Sequence, residues 1–364
     1  MVQVGDKIDC LKEKNLLVDS VIESGCFSTV FKCTSSSGQT FALKQSSASN
    51  LSDVQNEINL MYAVKDLNVL RVPRILDMST GPPPLILMSL EPGVQLNQWL
   101  LANSASLAWS ERIELAFALL IHLAPTFKTL HRILCHRDVN SHNILISVCP
   151  KNRQVDFTLI DLGLAVEKNS WDLYRWRDSP VSGDSRYWPG CAWEMLLEGF
   201  SSLAHEKTIE QYREKLDMHS FAITLVETIC QNLRHGDWNT PISPLVLAWN
   251  KYWEHASLFA RDFVDCSRNN GDWAACKARL ARENVVHVTK CNLKLIRDAL
   301  KSLRTQHQVF IVIERMLCVD EFTITADWSY VVRKLNIPLI PPRYGTPHEK
   351  NDDSNPLYLL RMHY

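Results

Sequence analysis

The sequence predicts an α+β fold, with a small antiparallel sheet in its N-terminal part and a larger, mainly helical C-terminal part. The first observation is a series of short runs between Leu16 and Lys44, rich in β-branched and aromatic residues and separated by small-residue turns, which is typical of strands. The second is that long runs after Leu96 repeat their apolar residues at helical spacing. The third is size, because 364 residues, 46% of them hydrophobic, can bury a sizeable core in one large domain or two.

The first strands enclose a turn of small residues. The sequence from Leu16 to Cys33 predicts two strands joined at Gly25, and Thr40–Lys44 predicts a third. Small residues in such a turn let backbone N–H groups approach phosphate oxygens closely. The turn is therefore a candidate phosphate-binding loop.

A helix follows these strands. Asn50 or Ser52 predicts the start of a helix from Leu51 to about Lys65, with apolar residues along one face. Glu57 lies in the middle of this helix. Asp53 lies in its first turn, where an acidic residue is an ordinary complement to the helix dipole.

Three oxygen-bearing side chains lie at the ends of two further predicted strands. The loop that contains Asp138 and Asn143 runs into the strand Ile144–Val148, and the strand Val155–Ile160 runs directly into Asp161. We expect the two strands to form a hairpin that presents the three side chains to one cleft. Such a set can move a phosphoryl group, because one carboxylate receives the proton of the attacking hydroxyl while an amide and the second carboxylate hold metal over the phosphates.

The motifs in these stretches resemble those of the eukaryotic-type protein kinases. His136-Arg137-Asp138 matches the HRD signature with Asn143 at its expected place, and Asp161-Leu162-Gly163 stands for DFG. Upstream, Ala42-Leu43-Lys44 is similar to the VAIK strand. The order and spacing of the motifs, rather than any one of them, carry the resemblance. It implies a bilobal fold with Mg-ATP in the seam between the lobes.

The resemblance implies one kinase-like domain with a short extension at each end. Its small lobe would hold the antiparallel sheet and its large lobe most of the helices. The predicted boundaries are an N-terminal extension at 1–15, a small lobe at 16–88, a hinge at 89–93, a large lobe at 94–337 with a tryptophan-rich helical region at about 235–303, and a tail at 338–364. Two interpretations of the tryptophan-rich region stay open, a docking insert and additional helical core.

The resemblance also assigns a role to each polar residue of the cleft. Asp138 would be the base for the substrate hydroxyl, Lys44 would hold the α- and β-phosphates, and Glu57 would anchor that lysine. Asn143 and Asp161 would bind Mg²⁺. The implied cofactors are ATP and Mg²⁺, and the implied partner is a protein substrate.

The nucleotide is expected between the small-residue turn, the buried strand Leu85–Met88 and the hinge. Met88 would guard the back of the pocket, hinge backbone groups would bind the adenine edge, and apolar side chains would cover the faces of the ring. The residues assigned to this pocket are Ile22, Ser24, Gly25, Val30, Ala42, Lys44, Met88, Leu90 and Leu145.

The sequence departs from the family pattern near the phosphates. Two of the three glycine places in the turn hold Glu23 and Ser28, and Glu23 puts a negative charge near the triphosphate. Asn140 stands where Ser/Thr kinases carry lysine and tyrosine kinases carry alanine, and His142 stands where tyrosine kinases often carry arginine. We expect Ser/Thr substrates ahead of Tyr. A nucleotide-binding or scaffolding pseudokinase and a small-molecule phosphotransferase remain as alternatives.

A tryptophan-rich stretch from Asp161 to about Glu194 stands where the family has its activation segment. Arg137 would either bind a phosphate on this segment or pair with a nearby carboxylate. The closing Ala-Pro-Glu is replaced by the stretch Arg186–Glu194, and a late arginine partner is also absent. Both halves of that salt bridge are missing from the sequence, so we expect a rewired contact, supplied by tryptophan packing. The possible phosphorylation sites are Ser179, Ser182, Ser185 and Tyr187.

The large lobe contains several predicted helices. Ser110 is expected to cap a long helix, and Pro125 is expected to kink that helix or end it early. The run from Lys215 to Ile229 resembles the buried central helix of the family's large lobe, in which Asp217 would bind the backbone of the catalytic loop. The runs Val309–Leu317 and Trp328–Leu335 predict the final helices.

Composition bounds the class of protein. Lys+Arg 39 against Asp+Glu 40 gives a net charge of −1, and no basic stripe or polybasic run points to nucleic acid or to a membrane surface. The most apolar stretch, Leu115–Leu123, is short for a membrane span. Eleven cysteines include no CxxC pair, which favours buried or free thiols in a reducing compartment. We expect a soluble cytoplasmic or nuclear protein, not a secreted one, of unknown oligomeric state.

Overall fold

The computed structural model describes residues 2–10, 15–25, 28–46, 51–79, 81, 83–203, 205–232, 240–268, 272–320 and 325–336. Asn50 as a helix cap, Trp238 in the tryptophan-rich region and the tail at 338–364 lie outside the described residues. In the described part, a small lobe built on an antiparallel sheet is followed by a larger helical lobe. This arrangement confirms the predicted fold class.

The small lobe is a six-stranded antiparallel sheet with the strand order β1-β2-β3-β4-β6-β5. Its strands are β1 (Lys7–Ile8), β2 (Leu16–Ser24), β3 (Ser28–Thr34), β4 (Thr40–Ser46), β5 (Ile75–Ser79) and β6 (Leu85–Ser89). Alternate residues such as Leu16, Val18 and Phe31 are buried on one face of the sheet, as the period of a strand requires. The register places Lys44 of β4 between Val30 of β3 and Ile86 of β6.

One helix, α1 (Leu51–Asp66), packs against β5. Its buried side carries Val54, Ile58 and Met61. Glu57 lies on that same side because it follows Val54 by three residues and precedes Met61 by four. The helical spacing thus carries a carboxylate into the interior together with the apolar residues.

Two short sheets lie where the lobes meet. One has the order β10-β9-β7, from β7 (Val94–Gln95), β9 (Ile144–Val148) and β10 (Val155–Leu159), and the other pairs β8 (Leu134–Cys135) with β11 (Val166–Glu167). In the antiparallel hairpin, Ile144 lies opposite Leu159. Residues just before β9 and just after β10 therefore emerge at the same end of the hairpin, as the sequence predicts for Asn143 and Asp161.

The large lobe packs its helices around α8, most of whose residues are buried. Its helices are α2 (Leu96–Asn103), α3 (Trp109–Leu130), α4 (Lys168–Ser170), α5 (Trp176–Asp178), α6 (Gly190–Glu198), α7 (Glu206–Glu214), α8 (Leu216–Cys230), α9 (Ser243–Arg268), α10 (Trp273–Arg282), α11 (Val285–Ser302), α12 (Gln308–Met316) and α13 (Trp328–Lys334). In the tryptophan-rich region, α9 and α11 pack together and contribute Trp249, Leu293 and Ile296 to the main hydrophobic core. This supports the interpretation of that region as helical core.

One expectation for α3 is wrong, and another is wrong in one of its two alternatives. Ser110 does not cap it, because the helix begins at Trp109 and the Ala108 backbone N–H donates to Glu111 Oε2 at 2.7 Å. Pro125 does not end it, since the helix runs on to Leu130 and packs its apolar residues into the core, which outweighs one lost backbone hydrogen bond. A kink at Pro125 stays a prediction.

By length and composition α3 is apolar enough to cross a membrane, being longer than the apolar run noted in the sequence. Of the apolar 18-residue stretch within this helix, 61% is buried inside the protein. The helix packs against α8 and α13 in the large lobe. Buried core helices commonly have the same length and apolar composition, so these two properties are weak evidence for a membrane span.

Candidate active site

A cavity of about 670 Å³ lies between the lobes. Its roof includes Ile22 and Val30 from β2 and β3, and its floor includes Leu145 from β9. The residues of the predicted nucleotide pocket that line it are Ile22, Gly25, Val30, Ala42, Lys44, Met88, Leu90 and Leu145. The sequence therefore identified most of one continuous surface from residues far apart in the chain.

Ser24 is the exception among those predicted pocket residues. It does not line the cavity, and its hydroxyl lies 3.3 Å from the hydroxyl of Thr29, its partner across β2 and β3. The cross-strand pair keeps the Ser24 side chain at the exposed surface. Its assignment to the nucleotide pocket is thus corrected.

Glu23 does line the cavity and contacts the other lobe. Gln95 of β7 donates its Nε2–H to Glu23 Oε1 at 2.9 Å, and Gln98 donates in turn to Gln95 Oε1 at 2.9 Å. All three side chains line the same cavity. The charge that replaces glycine in the turn is therefore part of a short hydrogen-bonded chain that joins the two lobes.

Lys44 forms two ion pairs at the inner end of the cavity. Its Nζ lies 2.7 Å from Glu57 Oε1 and 2.7 Å from Asp161 Oδ1. Lys44 and Glu57 are buried, at 6% and 4% exposure. Burial alone would lower the pKa of Lys44, but the two carboxylates outweigh it and hold that pKa well above its usual value. The lysine is therefore a fixed positive charge, paired with Glu57 and not with Asp53.

The pKa of Asp161 is set by the same cluster of charged side chains. Burial favours its neutral form, yet the charge and hydrogen bond of Lys44 and the backbone N–H of Gly163 lower its pKa below the usual value. Its backbone φ of 63° is left-handed, which turns the chain sharply after β10. The result is an ionised carboxylate aimed into the cavity.

The second carboxylate, Asp138, is held from three directions. Its Oδ1 accepts from Asn140 Nδ2 and from the Asp184 backbone N–H, both at 2.9 Å. Its Oδ2 accepts from Asn143 Nδ2 at 2.8 Å. Burial raises the pKa of Asp138 above its usual value. Asp138 and Asn143 are therefore brought together, with Asn143 but not Asp138 on the cavity wall.

Asn140 braces the loop from inside. It is 3% exposed, and its Oδ1 accepts from the backbone N–H groups of His142 and Asn143 at 2.8 and 3.2 Å. Such bonds are typical of an Asx-turn, in which the side chain replaces a backbone acceptor. The amide keeps a hydrogen bond without a charge, and that bond is directed to Asp138.

Asp217 anchors the loop from α8, as the resemblance implies. Its carboxylate accepts from the backbone N–H groups of His136 and Arg137, each at 2.7 Å. The φ of Arg137 is 67°, an unusual value for a residue with a side chain. The carboxylate bonds therefore stabilise a backbone turn immediately before Asp138.

A buried network of hydroxyl groups was missed by sequence reasoning. Ser141 and Tyr187 each donate to Glu227 of α8, at 3.1 and 2.7 Å. Burial is the main cause that raises the pKa of Glu227 to about 7. An acidic residue inside the apolar run of α8 was the available signal. The network joins the catalytic loop, the segment after Asp161 and the central helix.

The segment after Asp161 is held by its tryptophans. Trp171, Trp176, Trp188 and Trp193 are at most 4% exposed and belong to one hydrophobic cluster. Among the described residues Arg137 pairs with no carboxylate: its guanidinium lies over the Trp171 ring, 5.2 Å from the centroid, and donates to the Pro180 carbonyl at 3.0 Å, while phosphate binding by Arg137 stays a prediction. The predicted packing by tryptophans is thus present.

The closing contact is rewired, and tryptophan packing is not the whole of it. Glu194 of α6 forms an ion pair of 2.6 Å with Lys290 of α11. The cation of this pair is a lysine and not the arginine of the family pattern. Lys290 reaches Glu194 across Gly190, where a Cβ would lie 2.9 Å from the Lys290 side chain.

Comparisons with known proteins agree with this geometry. The family model described as "Protein kinase domain" matches residues 16–242. Among curated proteins, the chain is similar to "Wall-associated receptor kinase-like 21" of Arabidopsis thaliana, with 24% identity over 245 residues. That alignment covers 66% of this chain and 35% of the relative, so the chain spans about a third of that protein's length.

Proposed function

Because the chain belongs to the protein kinase domain family, we propose that it transfers the γ-phosphoryl group of ATP, in the presence of Mg²⁺, to a hydroxyl group of a protein substrate. The observation that carries the proposal is the pair of 2.7 Å contacts from Lys44 to Glu57 and Asp161 at the inner end of an interlobe cavity. A clamped lysine beside an ionised carboxylate suits a polyphosphate with its metal.

The donor atoms fit Mg²⁺. Asn143 uses its Nδ2 to hold Asp138, which leaves its carbonyl oxygen for a cation, and Asp161 offers a carboxylate oxygen beside the one that binds Lys44. Mg²⁺ prefers oxygen ligands and is usually held by one or two protein groups plus phosphate. Mg-ATP, when bound, supplies the phosphoryl group, and its Mg²⁺ offsets the negative charge of the phosphates.

The protein supplies position and proton acceptance. Lys44 would fix the non-transferred phosphates, and the apolar walls would exclude water from the adenine. Asp138 would accept the proton of the substrate hydroxyl, and its pKa, raised by burial, increases its basicity. Ser/Thr acceptors are placed ahead of Tyr because Asn140 keeps a polar side chain where Ser/Thr kinases carry lysine and tyrosine kinases carry alanine.

The test is phosphate transfer from labelled ATP to a generic protein substrate, comparing the wild type with Asp138→Ala and Asp138→Asn. We expect both variants to lose about 10²–10⁴-fold in rate, since the general base is removed. The variants should still bind ATP, because Asp138 does not line the cavity. Equal labelling by the wild type and the variants, or none by any of them, would contradict the proposal.

A second candidate is a nucleotide-binding or scaffolding protein with little or no turnover. The observation in its favour is that Asn140 brings no cation to the catalytic loop while the Asp138 carboxylate already accepts three hydrogen bonds. Mg-ATP binding without transfer in the assay above would favour it. In either form we propose a cytoplasmic or nuclear setting, which rests on the cysteine pattern of the sequence.

A further inference from the structure

The contact between Arg137 and Trp171 links the catalytic loop to the segment that follows Asp161. We propose that Trp171 is a positioning residue that holds Arg137, so that the loop bearing Asp138 is in place without a phosphate on that segment; the proposal rests on the phosphotransfer proposed above. The indole would serve as the partner that a phosphorylated residue provides in other switch segments.

Arg137 is fixed at both ends. Its backbone N–H donates to Asp217, and its guanidinium lies between the Trp171 ring and the Pro180 carbonyl. A cation over the face of a tryptophan is attracted by the ring, most strongly where water is excluded. Among the described residues this guanidinium forms no ion pair. The arginine is thus satisfied by an aromatic ring and a carbonyl.

Trp171 is itself anchored to the large lobe. It is 1% exposed, its Nε1–H donates to the Arg213 carbonyl at 2.8 Å, and its ring lies 6.0 Å from that of Tyr212 in α7. Next to it, Lys168 bridges Asp172 and Glu214, with 2.6 Å to each carboxylate. The start of the segment is therefore tied to α7 by an indole and a buried lysine.

The later part of the segment, at Gly183 and Asp184, also contacts the loop that bears Asp138. Gly183 has φ of 93°, and a Cβ at this position would clash with the Arg137 carbonyl oxygen. Its neighbour Asp184 donates its backbone N–H to Asp138. Displacement of Arg137 would therefore move both the carboxylate that acts as base and the backbone that covers it.

Three hydroxyl groups on the segment, those of Ser170, Ser185 and Tyr187, are poorly placed to replace the indole. Ser185 and Tyr187 are 4% and 2% exposed, and Tyr187 donates to Glu227. Ser170 donates to Glu167 at 2.5 Å. Phosphate recognition needs cations that are free to pair with it, whereas Lys168 already bridges two carboxylates and Trp171 covers Arg137. The observed contacts therefore order the segment by packing.

The experiment compares full-length wild type, Trp171→Leu, Trp171→Phe and the matched control Trp176→Leu, each treated with a broad phosphatase that is then removed. Trp176 is equally buried in the same segment, but its ring contacts Arg177 and Phe200. Two quantities are measured: kcat and KM for ATP with a generic protein substrate, and hydrogen exchange of the backbone amides of His136 and Arg137.

Dephosphorylated wild type should keep its turnover within about twofold. Trp171→Leu should lower kcat by about tenfold with KM for ATP unchanged and should speed exchange at His136 and Arg137, because the cation–aromatic contact is lost. Trp171→Phe should retain most of the wild-type kcat and most of the protection of the two amides from exchange, since a ring face remains. Trp176→Leu should leave the exchange of these two amides at the wild-type rate.

The proposal is overturned if phosphatase treatment removes the activity of the wild type, or if Trp171→Leu and Trp176→Leu change the exchange of His136 and Arg137 equally. Should Trp171→Leu fail to fold, the proposal is decided by whether the wild type keeps its turnover after phosphatase treatment. Should the wild type show no turnover at all, the proposed function fails, and the exchange comparison alone decides whether Trp171 positions the loop.

Discussion

Asn140 donates a hydrogen bond from Nδ2 to Asp138 Oδ1 at 2.9 Å, and both residues belong to the loop between β8 and β9. The amide therefore holds the proposed base and does not point toward the cavity. This relationship changes how the absence of a lysine at position 140 is understood. The residue contributes orientation in place of charge.

Asn140→Ala should lower kcat by about tenfold with little change in KM for ATP, because the Asp138 carboxylate loses one of its donors and the loop loses its Asx-turn. Asn140→Asp is the matched variant, since it keeps the oxygen acceptor but places a second carboxylate against Asp138. Steady-state kinetics on both variants check this. Wild-type kcat in Asn140→Ala would show that the bond has no role in orientation.

Lys44→Met should reduce phosphate transfer by about 10²–10³-fold, because it removes the fixed positive charge and leaves Glu57 and Asp161 facing each other. Glu57→Gln should cause a smaller loss. Asp53→Asn is the control on the same helix, and it should change the rate by less than about twofold, as exposed surface substitutions usually do. Equal effects of Glu57→Gln and Asp53→Asn would contradict the assignment.

Glu23→Gln should lower KM for ATP by about two- to fivefold, because the negative charge near the phosphates is removed while a bond to Gln95 is retained. Gln95→Ala breaks the same bond without changing the charge. Competition binding with ATP and with adenosine separates the two effects. A similar change for adenosine, which carries no phosphates, would show that charge repulsion is not the cause.

Glu227 should make stability depend on pH. Its folded pKa of about 7 lies above the ordinary value of 4.5, chiefly because of burial, so the folded protein holds a proton that the unfolded chain releases. The free energy of unfolding should therefore fall as pH rises from about 4.5 through 7, by roughly 3 kcal/mol at most.

Urea unfolding at several pH values between 5 and 8 measures this dependence. In Glu227→Gln the decline should be smaller than in the wild type, because the amide has no proton to lose; its oxygen can accept from one of the hydroxyl groups of Ser141 and Tyr187 and its NH2 can donate to the other. Parallel curves for the two proteins would show that Glu227 does not titrate in this range.

Local sequence patterns predicted the parts of the site that depend on nearby strands. Asn143 and Asp161 meet because each adjoins a strand of the same hairpin, and Glu57 is buried because its helical position matches that of Val54 and Met61. The boundaries of β9 and β10 follow from the same local sequence patterns. These relationships need only strand pairing and helix period.

Other contacts depend on how distant helices pack, which sequence periodicity does not specify. Lys290 of α11 reaches Glu194, and Trp171 reaches Arg137, only after the large lobe is assembled. The error at Ser24 has a different origin, since strand irregularities between Val18 and Glu23 change which side chains face the cavity. Asn140 was placed correctly in the loop, but its inward direction follows from backbone geometry.

The most direct test of the account is a calorimetric titration of ATP with and without Mg²⁺ on the wild type and on Asp161→Asn. The central claim is that the cavity between the lobes binds ATP at Lys44 and its metal at Asp161. We predict that Mg²⁺ tightens ATP binding to the wild type by about tenfold or more and has little effect on Asp161→Asn, which lacks the carboxylate charge. No ATP binding by the wild type, or the same Mg²⁺ dependence in both proteins, would contradict the claim.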